Sequence, residues 1–124
     1  MPIPTGLVLV VDDDAAVRNS LKFSLELEGL AVRLYADGEA LLNETDLPDE
    51  GCLVVDFYMP SMNGLDLVRS LRRRHIGIPA ILITGKASQE MRQKAKRAGC
   101  RAVLEKPLED SALLDTIRIA LAAG

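Results

Sequence analysis

The chain has 124 residues, which suits a single domain with one hydrophobic core, and we expect residues 1–124 to form it. A hydrophobic content of 48% with 27% charged residues is typical of a soluble globular protein, and no apolar run approaches the roughly 20 residues of a membrane-spanning helix. The net charge of −3 argues against general nucleic-acid binding by this domain, and the absence of a signal-like N-terminus favours a cytoplasmic location.

The first half of the chain alternates between strand patterns and helix patterns. Apolar, strand-like runs cover Leu7–Val11, Ala31–Tyr35 and Cys52–Asp56. Between the first two runs, Asp14 as a cap and Gly29 as a stop predict a helix of about fifteen residues. A short helix is expected before the third run.

The second half continues the alternation. A helix is predicted after Gly64, followed by a strand that ends at Thr84 and by a helix over 88–98 with a thin apolar stripe. A short strand at 102–104 and a helix starting near Asp110 complete the pattern. Five strands that alternate with five helices indicate an α/β fold with a parallel sheet and right-handed crossovers.

Four further features of the sequence have simple expected roles. The run Arg72-Arg73-Arg74 is predicted to form a solvated helix face, and His75 is expected at the surface. Lys94 and Arg97 are predicted to form a basic face with a better claim to be a partner surface. Both cysteines are expected to be reduced, because their spacing fits no metal site.

Carboxylate side chains stand at the ends of two of the predicted strands. Asp12 and Asp13 follow the first strand, and Asp56 ends the third. Because the carboxyl ends of parallel strands meet at one edge, these three carboxylates should lie close together, where they cannot all stay ionised without a counter-ion. Oxygen ligands of this kind suit Mg²⁺.

Two further strand ends add a hydroxyl and a cation to this edge. Thr84 ends the fourth strand and Lys106 follows the last. A metal, an ammonium group and a hydroxyl around one carboxylate describe a site that stabilises a phosphoryl group passing to that carboxylate, which we expect to be Asp56.

Five short motifs occur along the chain in a characteristic order: Val10-Val11-Asp12-Asp13, Val55-Asp56-Phe57-Tyr58-Met59-Pro60, Asn63-Gly64, Ile83-Thr84-Gly85 and Glu105-Lys106-Pro107. Together they resemble the receiver domain of two-component response regulators over essentially the whole chain, and look most like the receivers of nitrogen-fixation-type transcriptional regulators. The resemblance implies a flavodoxin-like, doubly wound sheet with the strand order 2-1-3-4-5.

The same resemblance implies the chemistry of the site. Asp56 would take a phosphoryl group from a histidine kinase, and Thr84 and Lys106 would contact the phosphoryl oxygens. Such a domain catalyses its own phosphorylation and slow dephosphorylation but acts mainly as a signalling module. A cis bond between Lys106 and Pro107 is implied as well.

The resemblance also implies a set of metal ligands. Asp13, Asp56 and the main-chain carbonyl of Tyr58 would bind Mg²⁺ directly, and Asp12 would act on it through water.

The output of such a switch is implied only in outline. Phosphorylation would change the surface around the fourth helix and fifth strand, with a homodimer as the favoured readout and transcription as the controlled process. DNA would be contacted through an output domain outside these residues. Val103 stands where many receivers carry a Tyr or Phe that swings inward, which leaves the route of the signal open.

Two other functions fit parts of the pattern. A phosphatase of the haloacid dehalogenase type also uses an Asp nucleophile and Mg²⁺, but it needs a second acid two residues later, where this chain has Tyr58. A nucleotide-binding or flavodoxin-like electron carrier needs a loop rich in Gly, Ser or Thr after the first strand, where this chain has three acids.

Overall fold

The structure is a computed structural model that describes residues 6–48 and 50–123. Its strands are β1 (Leu7–Val11), β2 (Ala31–Tyr35), β3 (Cys52–Asp56), β4 (Ala80–Thr84) and β5 (Cys100–Glu105). Its helices are α1 (Ala15–Leu27), α2 (Gly38–Leu42), α3 (Gly64–Arg73), α4 (Gln89–Ala98) and α5 (Asp110–Ala123). The expectation that the N-terminus is not a secretory signal concerns residues 1–6, of which residues 1–5 lie outside the described part of the chain.

The five strands form one parallel sheet in the order β2-β1-β3-β4-β5, as predicted. Strands β3 and β4 are buried along their whole length, and β1 is buried except at Leu7. Such unbroken apolar strands form because helices cover both faces of the sheet. No helix in the described part of the chain is long and apolar enough to cross a bilayer.

Two hydrophobic clusters lie on opposite faces of the sheet. Side chains of α2, α3 and α4, such as Leu41, Leu71 and Ala95, pack on one face. Side chains of α1 and α5, such as Leu25 and Ile117, pack on the other. This two-layer covering leaves the carboxyl edge of the sheet to the loops that follow each strand.

The cap predicted for α1 is confirmed, and α4 has a comparable cap that was not predicted. The Asp14 carboxylate accepts the N–H groups of Ala16 and Val17 at the start of α1, and the Ser88 hydroxyl accepts the N–H of Met91 at the start of α4. Of the residues in α4 only Ala95 is buried, in line with the thin apolar stripe of its sequence.

The predicted length of the last strand is wrong. Strand β5 has six residues rather than three, because it pairs with all of β4 from Ala80 opposite Cys100 to Thr84 opposite Glu105, with an irregularity near Ile81. Cys100 and Cys52 are free thiols, and burial raises the pKa of Cys100 to about 11, so its thiol stays protonated.

The solvated face predicted for the arginine run is also wrong in part. The guanidinium of Arg72 is half-buried and donates to two main-chain carbonyls, at 2.8 and 3.1 Å. Arg74 donates to the carbonyl of Leu42 at 2.8 Å. Local periodicity could not reveal the bonds to Gly99 and Leu42, since these carbonyls lie 27 and 32 residues away in sequence. Arg73 and His75 are exposed, as predicted.

Candidate functional site

The ends of β1 and β3 bring three carboxylates together. The two strands are neighbours, with Val11 paired to Val55, so the residues that follow these positions meet at one edge. Carboxylate oxygens of Asp12, Asp13 and Asp56 all lie within 4.8 Å of one another. Asp12 and Asp56 are only 4% and 6% exposed, whereas Asp13 is exposed. The cluster is therefore a pocket of hard oxygen donors that is open on the Asp13 side.

The electrostatics of this cluster favour a counter-ion. Burial raises the pKa of Asp56, the neighbouring Asp12 raises it further, and the Lys106 ammonium opposes both effects. Burial likewise raises the pKa of Asp12, against a hydrogen bond of 2.9 Å that its carboxylate accepts from the N–H of Asp14. Both carboxylates are thus more costly to ionise than in water, and a cation among them would remove that cost.

Lys106 is the predicted site residue in direct contact with Asp56. Its Nζ lies 3.2 Å from Oδ1 of Asp56, and its side chain is 39% exposed. The N–H of Lys106 donates to the carbonyl of Thr84 at 2.8 Å, and the following Lys106–Pro107 bond is cis, as the resemblance implied. The ammonium is thus fixed beside the carboxylate yet reachable from solvent.

Thr84 lies at the same edge, but its hydroxyl is engaged elsewhere. The residue is fully buried, and Oγ1 lies 3.3 Å from both the N–H and the carbonyl oxygen of Lys86. In the part of the chain that the structure describes, this hydroxyl bonds to its own loop rather than to Asp56. Contact with a group on Asp56 would require it to turn.

The loop after β3 begins with main-chain bonds that fix its course. The N–H of Phe57 donates to the carbonyl of Ile83 at 2.8 Å, and the N–H of Gly64 donates to the carbonyl of Phe57 at 3.0 Å. Tyr58 is 61% exposed, and its ring meets the Phe57 ring edge-on, with the ring centroids 4.8 Å apart. The role of the Tyr58 carbonyl as a metal ligand stays a prediction.

Two contributors to the site were missed by sequence reasoning. The guanidinium of Arg18 donates to the carbonyl of Asp12 at 2.6 Å and thereby connects α1 to the loop that follows β1. The Glu105 carboxylate accepts the N–H of Ala87 at 2.7 Å and holds the loop after β4. Arg18 lies six residues after Asp12 with no local motif, whereas Glu105 stood inside a recognised motif.

Gly64 packs closely against Asp56, and its replacement by alanine should destabilise the folded protein. A Cβ at this position would lie 2.7 Å from both the main-chain oxygen of Asp56 and Cδ1 of Leu82. We expect Gly64→Ala to lower the free energy of unfolding by about 1–3 kcal/mol, as overpacking usually does. Urea denaturation measures this change, with Gly77→Ala as the control, since a Cβ on Gly77 meets nothing within 4 Å. Equal effects of the two substitutions would contradict the close packing.

Residues 8–118 match the family described as the response regulator receiver domain. The chain belongs to this family. As a receiver domain it is 40% identical over 110 residues to the transcriptional regulatory protein FixJ of Rhizobium meliloti, a match that covers 89% of this chain and 54% of that protein. It is 38% identical over 114 residues to the C4-dicarboxylate transport transcriptional regulatory protein DctD of Pseudomonas aeruginosa, covering 92% of this chain and 25% of that protein.

Solved receiver structures have the same fold. The crystal structure of FixJ-N superposes with a TM-score of 0.87 at 38% identity, covering 98% of this chain and 96% of the other. The receiver domain of the Francisella response regulator 1452 gives 0.86 at 28% identity, covering 95% and 98%. The receiver resemblance and the flavodoxin-like topology are thereby confirmed. This receiver domain spans about half the length of the FixJ proteins that it matches.

Proposed function

We propose that this receiver domain is a phosphorylation switch in which Asp56 takes a phosphoryl group from a histidine kinase in a Mg²⁺-dependent reaction. The observation that carries the proposal is the Lys106 ammonium, 3.2 Å from a buried carboxylate that also belongs to a cluster of three acids. A nucleophile flanked by fixed positive charge is what transfer of an anionic group requires.

The residues present fit a magnesium ion. Carboxylate oxygens of Asp12, Asp13 and Asp56 converge within 4.8 Å, and hard oxygen ligands are those that Mg²⁺ prefers. We propose that Asp13 and Asp56 bind it directly with the main-chain carbonyl of Tyr58, while Asp12 acts through water. When bound, the ion would offset the negative charge that repels an incoming phosphate.

The chain's own groups account for the transfer step. An Asp56 carboxylate oxygen forms a bond to phosphorus while the bond from phosphorus to the donor's imidazole nitrogen breaks, and the electron pair stays with that nitrogen. Lys106 stabilises charge on the phosphoryl oxygens, and the Thr84 hydroxyl turns from Lys86 to bond one of them. No proton is needed on Asp56, which Lys106 helps to keep ionised.

The alternatives fit the site less well. Position 58, where a dehalogenase-type phosphatase needs its second acid, carries a tyrosine whose ring is largely solvent-exposed. The loop after β1, where an electron carrier would hold a cofactor phosphate, carries Asp12, Asp13 and Asp14, which would repel it.

Incubation with acetyl phosphate tests the proposal and separates these functions. We expect the intact mass to rise by one phosphoryl group in the presence of Mg²⁺ and to stay unchanged in EDTA. Rapid consumption of acetyl phosphate with no accumulated adduct would instead support a phosphatase. If the protein neither gained mass nor consumed acetyl phosphate, the proposed function would be wrong.

The signal is proposed to leave the site through α4. When Thr84 turns toward a phosphoryl group, it releases Lys86, and the loop that Glu105 holds through Ala87 is pulled with it. Helix α4 buries only Ala95, so few apolar contacts oppose its movement. The partly buried Val103 is too small and too stiff at χ1 to carry the movement by a rotamer swing.

Amide hydrogen exchange should report this movement. We expect beryllofluoride, which mimics the phosphoryl group, to change exchange in residues 89–98 while β1 stays protected, and to raise the sedimenting mass if dimerisation is the readout. The response should persist in Val103→Ala. Loss of the response in that variant would show that the side chain carries the signal, and unchanged exchange in the parent would contradict the α4 route.

The wider setting follows from the same proposal. A histidine kinase draws its phosphoryl group from ATP, so the switch is placed in the cytoplasm. We propose that residues 1–124 act as one receiver unit and that DNA is contacted through an output domain outside this chain, because the receiver's relatives are named as transcriptional regulatory proteins.

A further inference from the structure

A groove lined by arginines lies between the C-terminal halves of α3 and α4, away from the phosphorylation site. Its volume is about 530 Å³, and it is lined by Arg69, Arg72, Arg73, Arg97, Ala98 and Gly99. This concentration of cations stands on a chain whose net charge is −3. The proposed phosphorylation switch does not explain why these arginines are grouped here.

One of the four arginines has a structural role that accounts for its presence in the groove. Arg72 donates to the carbonyls of Ile76 and Gly99 and so joins the end of α3 to the end of α4. Gly99 permits this approach: its φ is +94°, and a Cβ there would lie 2.8 Å from Nε of Arg72. Cations near the last carbonyls of a helix stabilise its dipole, which accounts for Arg72 without any ligand.

The other three arginines have no comparable structural role. Arg69 reaches Asp66 only at 3.9 Å, and Arg73 reaches only the Ser70 hydroxyl, at 3.5 Å. Arg97 has no hydrogen-bonding or ionic partner among the residues that the structure describes. All three are exposed, so their donors are free to engage a partner.

We propose that this groove binds a short acidic segment of a partner protein. Guanidinium groups form paired, planar hydrogen bonds with carboxylates, and three of them in one groove match closely spaced Asp or Glu side chains. The aliphatic stems of the arginines with Ala98 give such a segment an apolar floor.

Nucleic acid fits the groove less well. Among the described residues, none that lines the groove is aromatic, so a single strand finds no ring there on which to stack its bases. A duplex is long and rigid, and it would continue past the groove toward Asp66 and Glu90, the acids in the first turns of the same two helices. Those acids repel phosphates, whereas a short peptide stays within a screening length of the arginines.

Fluorescence anisotropy with a labelled tetraglutamate peptide tests this assignment on the unphosphorylated protein, so the result does not depend on the proposed switch. We expect binding that weakens as salt is added. Arg73→Gln and Arg97→Gln should each weaken it about threefold, and the double variant about tenfold. The matched control is Arg33→Gln on the opposite edge strand, where an exposed arginine donates to the carbonyl of Asp46.

The remaining outcomes would overturn the proposal. Equal weakening by Arg33→Gln would mean that the peptide senses only overall charge. Tighter binding of a labelled DNA duplex through the same two arginines would assign the groove to nucleic acid. Displacement of the peptide by sulfate at a matched ionic strength, beyond that caused by chloride, would reduce the site to one for simple anions.

Discussion

Asp56→Asn should abolish phosphoryl uptake and, in the absence of divalent cations, make the folded protein more stable at pH 7. Uptake is lost because the amide is not a nucleophile for phosphorus, although it fills the same space. Stability rises because the substitution removes a negative charge that is buried and lies beside Asp12, the two largest causes of the raised pKa of Asp56. Intact mass measures the first effect, and urea denaturation in EDTA measures the second.

The stabilising effect should depend on pH in a defined direction. The pKa of Asp56 is raised in the folded protein, so the folded state holds its proton more tightly than the unfolded chain does. The cost of the charge is therefore present above the raised pKa and disappears as the pH falls through it. The advantage of Asp56→Asn over the parent should shrink between neutral pH and pH values near the ordinary carboxyl pKa.

Asp14→Asn is the matched control for both measurements. It removes one negative charge from the same loop, yet asparagine still caps α1, because its side-chain oxygen can accept the N–H groups of Ala16 and Val17. This variant should take up the phosphoryl group and show little change in stability. If Asp56→Asn destabilised the protein at pH 7 while Asp14→Asn did not, the Lys106 pair would outweigh the repulsion among the acids.

Mg²⁺ should raise the melting temperature of the parent by about 3–6 °C at concentrations well above its Kd, and Asp13→Ala should cancel that rise. Asp13 supplies the solvent-exposed carboxylate of the cluster, so its replacement by alanine would remove one of the proposed direct ligands. Differential scanning fluorimetry with and without Mg²⁺ measures the change. Asp14→Asn should keep the full rise, since Asp14 is engaged in capping α1.

The metal effect should also fade in acid. Protons compete with Mg²⁺ for Asp12 and Asp56, whose pKa values are both raised by burial, so the thermal shift should decline as the pH falls through these raised values. If Mg²⁺ raised the melting temperature of Asp13→Ala as much as that of the parent, Asp13 would not be a metal ligand. A shift of equal size at acidic and neutral pH would place the metal outside the carboxylate cluster.

The sequence was sufficient to predict how the site is assembled. Asp12 and Asp56 follow or end apolar strands that had to be buried and parallel, and parallel strands end at one edge of the sheet. Their proximity in the structure therefore follows from the strand pattern and the order 2-1-3-4-5. Lys106 could be placed at this edge by the same reasoning, although only the structure gives its distance of 3.2 Å from Asp56.

What the sequence could not supply was side-chain direction and long-range pairing. The Thr84 hydroxyl bonds to Lys86, and rotation about one bond decides between that partner and a group on Asp56. Arg72 reaches the carbonyl of Gly99, 27 residues away, which helix periodicity cannot indicate. Strand β5 was predicted too short because an edge strand needs few apolar residues when a buried neighbour pairs with its whole backbone.

Chemical trapping of the phosphorylated residue tests the central claim most directly. A phosphoryl group on a carboxylate forms a mixed anhydride, which borohydride reduces to an alcohol, so a modified aspartate is read as homoserine in peptide sequencing by mass spectrometry. After treatment with acetyl phosphate and Mg²⁺, the account predicts homoserine at position 56 and aspartate at positions 12 and 13. Homoserine at position 12 or 13, with Asp56 unmodified, would contradict it.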